Sequence, residues 1–310
     1  GALGSGNATA DGAVAIGYMA GNTFTNAGNE GSVYIGYKAG QGIVNSTVVM
    51  IGYKAGSSYS GTGKGEGVTL IGHRAGLNSN DDAINNTAVG YASLYANTAG
   101  ERNTVMGRNA GFEITTGDNN TLIGYNTMGP LTGLRNTAIG AGAMQDVDAG
   151  STSGGSSDNI FMGYNAGGGT WTDGLSLTTG GNNICIGYLA GDTMTGNGAV
   201  IAIGTSAGQA INHTDADGTV AIGFKALENL TNGQNNLAIG QETLKGITTG
   251  DSNIAIGKLA MDDFDAGVNS GNSSQNIAIG TGAMGGTVAD VASNDNIAIG
   301  ANTLAALLMI

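Results

Sequence analysis

Few residues in this chain could do chemistry, and most of them sit in short acidic or glycine-rich stretches. Two acidic clusters stand out: Asp146 and Asp148 in Ala143-Met-Gln-Asp-Val-Asp-Ala-Gly150, and Asp263 and Asp265 in Ala260-Met-Asp-Asp-Phe-Asp-Ala-Gly267. Carboxylates one residue apart ahead of a glycine turn supply the hard oxygen ligands that Ca2+ takes, although neither cluster has the closing Glu of an EF-hand loop. Ca2+ is the one candidate cofactor, set against a solvated acidic turn that needs no ion. The single tryptophan, Trp171, lies in Gly-Gly-Gly-Thr-Trp-Thr-Asp-Gly. An indole there could stack on a sugar or anchor a partner, or fold back onto its own chain. Tyr18, Tyr37, Tyr53 and Tyr91 occupy one recurrent position, shared by Tyr125, Tyr164 and Tyr188. They are receptor-binding candidates, in competition with packing along a seam.

Catalysis finds little to work with. A nucleophile needs a base beside it, yet the histidines are only His73 and His213 and the thiol only Cys185. Glycoside hydrolysis needs a groove with one carboxyl kept protonated by burial, whereas the Asp pairs fall in loops expected to be hydrated. The chain is expected not to be an enzyme. A lone cysteine offers no intrachain disulfide, and Cys185 reads as a small buried hydrophobe.

What positions these residues is a repeat. A five-residue frame, typically Asn-[Thr/Ile]-Ala-Ile-Gly, recurs sixteen times with its glycine at 17, 36, 52, 72, 90, 107, 124, 140, 163, 187, 204, 223, 240, 257, 280 and 300. The residue before that glycine is Ile in thirteen copies. Third after it comes Ala, Thr or Ser without exception, and fourth after it Gly, Leu or Met, which reads as a turn or a core plug. Short, β-branched frames bounded by Gly, Asn, Asp, Ser and Thr predict strands, and spacings of 16 to 24 residues place one strand per coil of a stacked repeat.

Within a strand, the residues one and three before the glycine share a face, and the residue two before it takes the other. Both faces are apolar, and no charged residue enters any frame. One face can line the coil's own interior, so the other calls for a partner. Asn stands four before the glycine in ten copies, Asn136, Asn253 and Asn276 among them. Stacked about 4.8 Å apart, these side chains would bond their neighbours as a ladder. Glycines 140, 257 and 280 and the preceding Ile139, Ile256 and Ile279 complete the structural frame.

Composition narrows the partners. With 23 acidic and 10 basic side chains, the net charge of -13 disfavours nucleic acid and anionic membrane surfaces. No run reaches the roughly 20 apolar residues of a membrane-spanning helix, so membrane insertion is not expected. Gly supplies 59 residues and Pro one, which excludes collagen. The longest intervals, 140–163, 163–187 and 257–280, predict projecting loops, and the first and third are copies of one another. The whole of 1–310 is expected to be a single repeat array, without a leader or initiator Met and so a segment of a longer fibre protein.

The units Asn136-Thr-Ala-Ile-Gly140-Ala-Gly-Ala, Asn253-Ile-Ala-Ile-Gly257-Lys-Leu-Ala and Asn276-Ile-Ala-Ile-Gly280-Thr-Gly-Ala resemble the head repeats of trimeric autotransporter adhesins of the YadA type. They are also similar to the Asn-Thr-Ala-Ile-Gly-Tyr-x-Ala-Leu arrays of phage tail fibres and large bacterial surface proteins. The resemblance covers essentially the whole chain, and the longer, more variable spacing is nearer to the fibre group. It implies an all-β fold, a left-handed parallel β-roll or β-solenoid of about sixteen coils, assembled as a homotrimeric rod. The activity it implies is adhesion: host attachment by a virion tail fibre through a surface glycan or protein receptor, in an extracellular setting. A bacterial cell-surface adhesin and a purely structural extracellular filament are the alternatives.

Overall fold

A frame too short for a helix and rich in β-branched residues gives three- or four-residue strands, and the computed structural model has sixteen of them among the described residues. It describes residues 12–22, 31–43, 47–58, 66–80, 82–129, 133–145, 156–168, 181–194, 198–211, 216–263, 273–286 and 293–305. The chain divides into two units, Gly1–Asp148 with Ser153–Ser156, and Ala149–Thr152 with Ser157–Ile310.

The first unit holds β1 (Val14–Ile16), β2 (Val33–Ile35), β3 (Val48–Ile51), β4 (Val68–Ile71), β5 (Thr87–Val89), β6 (Thr104–Met106), β7 (Thr121–Ile123) and β8 (Thr137–Ile139). The second holds β9 (Ile160–Met162), β10 (Ile184–Ile186), β11 (Ile201–Ile203), β12 (Val220–Ile222), β13 (Leu237–Ile239), β14 (Ile254–Ile256), β15 (Ile277–Ile279) and β16 (Ile297–Ile299). In each unit every strand pairs in parallel with the next in sequence, and the register sets like frame positions opposite one another: Leu122 faces Ala138, and Ala238 faces Ala255. This is an all-β parallel solenoid, with no α-helix among the described residues.

The residue two before the frame glycine points inward. Tyr34, Met50, Leu70, Val105, Leu122, Phe161 and Cys185 are essentially inaccessible there, as are the alanines that replace them in other coils except Ala15 of the first strand, which is partly exposed. The small residue three after the glycine is also interior, as at Ala39, Ala110 and Ala207, where a longer side chain would meet the opposite wall.

The position four after the glycine turns out to be complementary to the inward strand residue. Where it is Gly, the strand contributes bulk: a Cβ at Gly76 would lie 2.6 Å from Leu70, at Gly167 2.7 Å from Phe161, and at Gly191 2.6 Å from the Cys185 sulfur. Where the strand contributes only Ala88, Ala138, Ala221, Ala238, Ala255 or Ala278, the fourth position supplies Leu94, Met144, Leu227, Leu244, Met261 or Met284, all buried. Both kinds hold the same left-handed backbone, φ 54° at Gly76 and Met144 alike. In most coils the bore is thus filled from one wall or the other, as close packing requires. Three coils depart from the exchange: Leu122 and Met128 are both large in that of β7, while Ala15 and Gly21 in that of β1 and Ala202 and Gly208 in that of β11 are both small, Ile211 lying beside Gly208 in the last.

The frame glycines form a column of their own. Gly204 has φ +131° and Gly240 φ +141°, conformations that L side chains rarely adopt. Each also has the next coil's backbone against it: a Cβ at Gly204 would be 2.5 Å from the Gly223 carbonyl oxygen, and at Gly240 2.6 Å from that of Gly257.

Candidate functional site

Three columns run along each stack and decide what it can offer to a partner: the buried asparagines, the outward strand face, and the aromatic residues that follow the glycines.

The asparagines are wholly internal to the fold. In the first unit Asn86, Asn103, Asn120 and Asn136 are buried in succession. Asn120 donates through Nδ2 to Asn103 Oδ1 at 3.0 Å and to the Gly133 carbonyl at 3.0 Å, while its own Oδ1 accepts from the Asn136 backbone N–H at 2.9 Å and from Asn136 Nδ2 at 3.2 Å. In the second unit Asn253 donates to Asn236 Oδ1 at 3.1 Å and to the Ser273 carbonyl at 2.9 Å, and Asn276 to Asn253 Oδ1 at 3.1 Å. Asn103, Asn120, Asn253 and Asn276 have both their donors and their acceptor engaged, which is what burying a carboxamide demands. Thr219 replaces Asn in one coil and donates its hydroxyl to the Gly233 carbonyl at 3.1 Å.

The outward strand face behaves differently. The residue one before the glycine is apolar throughout and only partly covered: Ile123, Ile186, Ile239 and Ile279 keep 36–37% of their surface exposed, and Met106 49%. In the second unit this face is aliphatic in both columns, Ile160, Ile184, Ile201, Val220, Leu237, Ile254, Ile277 and Ile297 beside the isoleucines. In the first unit the outer column turns to threonine at Thr69, Thr87, Thr104, Thr121 and Thr137.

Beside that face stands the aromatic column. Tyr18, Tyr37, Tyr53, His73 and Tyr91 stack with ring centroids 5.4, 5.3, 4.9 and 4.8 Å apart and planes within 17°. Arg108 then takes the column position, its guanidinium 5.6 Å from the Tyr91 ring centre and 5.8 Å from that of Tyr125. Tyr164 and Tyr188 stack at 5.5 Å in the second unit. Lys38 and Lys54 place their Nζ 5.6 and 5.5 Å from the Tyr37 and Tyr53 ring centres, within cation–π range. Tyr18, Tyr37, Tyr53 and Tyr91 remain 63, 41, 40 and 48% exposed, so the column is stacked in one direction and open in the other.

The loop candidates fall largely elsewhere. Asp146, Asp148, Asp265 and Trp171 lie outside the described residues, as does His213. Asp263 is exposed. Beside it Asp262 has its carboxyl held above the usual range, first by burial and then by the charge of Asp263. Among the described residues no three His, Cys, Asp or Glu side chains converge as metal ligands. Cys185 is buried with its sulfur 3.4 Å from that of Met194, and burial pushes its thiol pKa far up, so it is neither nucleophilic nor open to oxidation. Tyr34, the largest interior side chain, has its hydroxyl pKa pushed up to about 12 by burial, partly offset by a hydrogen bond with Ser32.

The interior exchange between strand and turn was not read from the sequence, although the signal was there: Gly at the fourth position accompanies a large strand residue in most repeats. No family model, curated protein or solved structure matches this chain.

Proposed function

We propose that the chain is a structural and adhesive fibre segment: sixteen coils, one per frame, working as a homotrimer that attaches a virion tail fibre to a host surface outside the cell. The observation that carries the reading is the outward strand face. A solenoid coil closes its own interior, yet here the second face also carries an apolar column, partly open at every rung and 36–37% exposed at Ile123, Ile186, Ile239 and Ile279, too regular to be scattered surface residues. Covering what remains of one mid-stack isoleucine stabilises by about 0.5–1 kcal/mol, a third of its full transfer value. Repeated at each rung, that sum favours closure on sister copies, whose identical columns match in register. Charge supports the same assignment, since a net charge of -13 repels a phosphate backbone at long range.

Trimerisation makes weak contacts count three times. Attachment is tested with the labelled full chain on a panel of bacterial cells, comparing wild type with Ile239→Asp, which sets three carboxylates against one another across the proposed seam while leaving the coil interior untouched. The variant is expected to be monomeric and to bind at least about 100-fold more weakly, the lower end of what avidity supplies. A monomeric variant that binds as tightly as wild type would contradict the trimeric reading, and a wild type that binds no surface would contradict the adhesive one.

A further inference from the structure

The fifth residue after each frame glycine forms another column, on the turn side of the coil and away from the outward strand face. In the first unit it runs Tyr95, Phe112, Gly129, Gln145. Tyr95 and Phe112 are half-buried and stack with centroids 4.8 Å apart and planes 11° from parallel. At the next rung the side chain is missing. The backbone keeps its register across the gap: Gly111 N–H donates to the Thr127 carbonyl at 2.9 Å, Met128 N–H to that of Ala143 at 2.9 Å, and Gly129 N–H to that of Met144 at 3.1 Å. Gly129 therefore leaves a slot one rung thick, with the free face of Phe112 as one wall and Gln145 as the other.

A cleft of about 260 Å³ occupies this place, lined by Asn109, Phe112, Glu113, Asn126, Met128, Gly129 and Gln145. Its size lies just under the roughly 300–1,000 Å³ of sites that bury a drug-sized ligand, so it takes one ring and leaves the rest of a longer ligand in water. Three carboxamides and a carboxylate surround one aromatic face. Unlike the ladder asparagines, Asn109, Asn126 and Gln145 have no side-chain hydrogen-bond partner among the described residues, so their donors and acceptors are available.

We propose that this slot is a binding site for one neutral pyranose ring. Its C–H face completes the interrupted Tyr95–Phe112 stack, and its hydroxyl groups exchange hydrogen bonds with Asn109, Asn126, Gln145 and Glu113. A pyranose is apolar on its faces and hydroxylated at its rim, and both properties match the walls in the positions where the slot presents them. Glu113 and the net charge of -13 exclude uronic and sialic acids. The assignment takes its purpose from the adhesive reading, because each chain of a trimer would present the slot clear of the seam, but its chemistry stands on the slot alone.

Saturation-transfer NMR on the full chain with the methyl glycosides of glucose, galactose, mannose, N-acetylglucosamine and N-acetylgalactosamine tests it, with N-acetylneuraminic acid as the anionic comparison. The expected result is binding of at least one neutral sugar, with transfer to its ring C–H protons, and none of the acid. Phe112→Ala should weaken it at least tenfold. Gly129→Phe should abolish it by filling the rung, and Gly129 does not hold the positive φ that disfavours L side chains. Unchanged amide-exchange protection of Gly111, Met128 and their neighbours shows that each variant keeps its coil. Immobilising the preferred sugar on a polysaccharide and on a glycoprotein tells which source supplies it. Sugar binding that survives Gly129→Phe would overturn the slot, as would a wild type that attaches to cells but binds none of the five sugars. A wild type that does neither would overturn the adhesive reading as well.

Discussion

Gly240→Ala is expected to destabilise its unit by at least about 4 kcal/mol, an exceptional loss for removing nothing and adding one methyl group. Two independent costs combine. At φ +141° a residue with a Cβ is strained by about 1–3 kcal/mol. The new methyl would also stand 2.6 Å from the Gly257 carbonyl oxygen and 2.7 Å from the Thr243 hydroxyl. Neither neighbour can yield cheaply, because Gly257 N–H is tied to the Ile239 carbonyl at 2.8 Å and Gly240 N–H to that of Ile222 at 2.8 Å. Stacked repeats open piecewise, so amide exchange is the measure: the Gly240 and Gly257 amides should lose protection first, with loss spreading to adjacent coils. Gly31→Ala is the control. Gly31 has φ +71° with nothing within 4 Å of the added atom, so its cost should stay near the roughly 1–2 kcal/mol of a left-handed residue. Equal effects at the two positions would show that the glycine column is a matter of backbone conformation alone.

Asn120→Asp should cost about 3–5 kcal/mol near neutral pH, the scale of an uncompensated buried charge. The change is one atom, but it replaces the Nδ2 donor with an acceptor that faces Asn103 Oδ1 and the Gly133 carbonyl, both at 3.0 Å. Two bonds become repulsions while the accepted bonds from Asn136 remain. Desolvation together with facing acceptors raises the folded-state pKa of such a carboxyl above its unfolded value of about 3.9. The folded variant then holds its proton where the unfolded chain has lost it. Its penalty is therefore complete above the folded pKa, and shrinks as pH falls toward the unfolded value. Thermal melts of wild type and variant across pH should converge at the acid end. A gap that stays constant with pH would mean that the ladder position tolerates a charge through water.

The features legible in the sequence were those that repeat identically. Asn253 and Asn276 fall four residues before a glycine, and a constant offset in parallel register leaves them nowhere to be except one above another. Ile139, Ile256 and Ile279 were placed on a common face by the two-residue period of a strand. Which face was interior was not decided by that period, since Ile and Ala alternate on apolar faces of both kinds. The decision comes from the turn, whose small third residue, Ala39 or Ala207, is buried together with the strand residue two before the glycine, Tyr34 or Ala202. The exchange of bulk between Leu70 and Gly76, or between Ala138 and Met144, is a relation between two variable positions and is lost when each column is read alone. The slot at Gly129 was hidden for a related reason. A missing side chain carries meaning only once Phe112 and Gln145 are known to flank it.

The most direct test of the central claim, that the outward isoleucine face is covered by sister copies, is the solution mass of the wild-type chain by sedimentation equilibrium at micromolar concentration. The expected mass is three times the 30.4 kDa of one chain. A stable species of 30.4 kDa, with that face left to water, would contradict it.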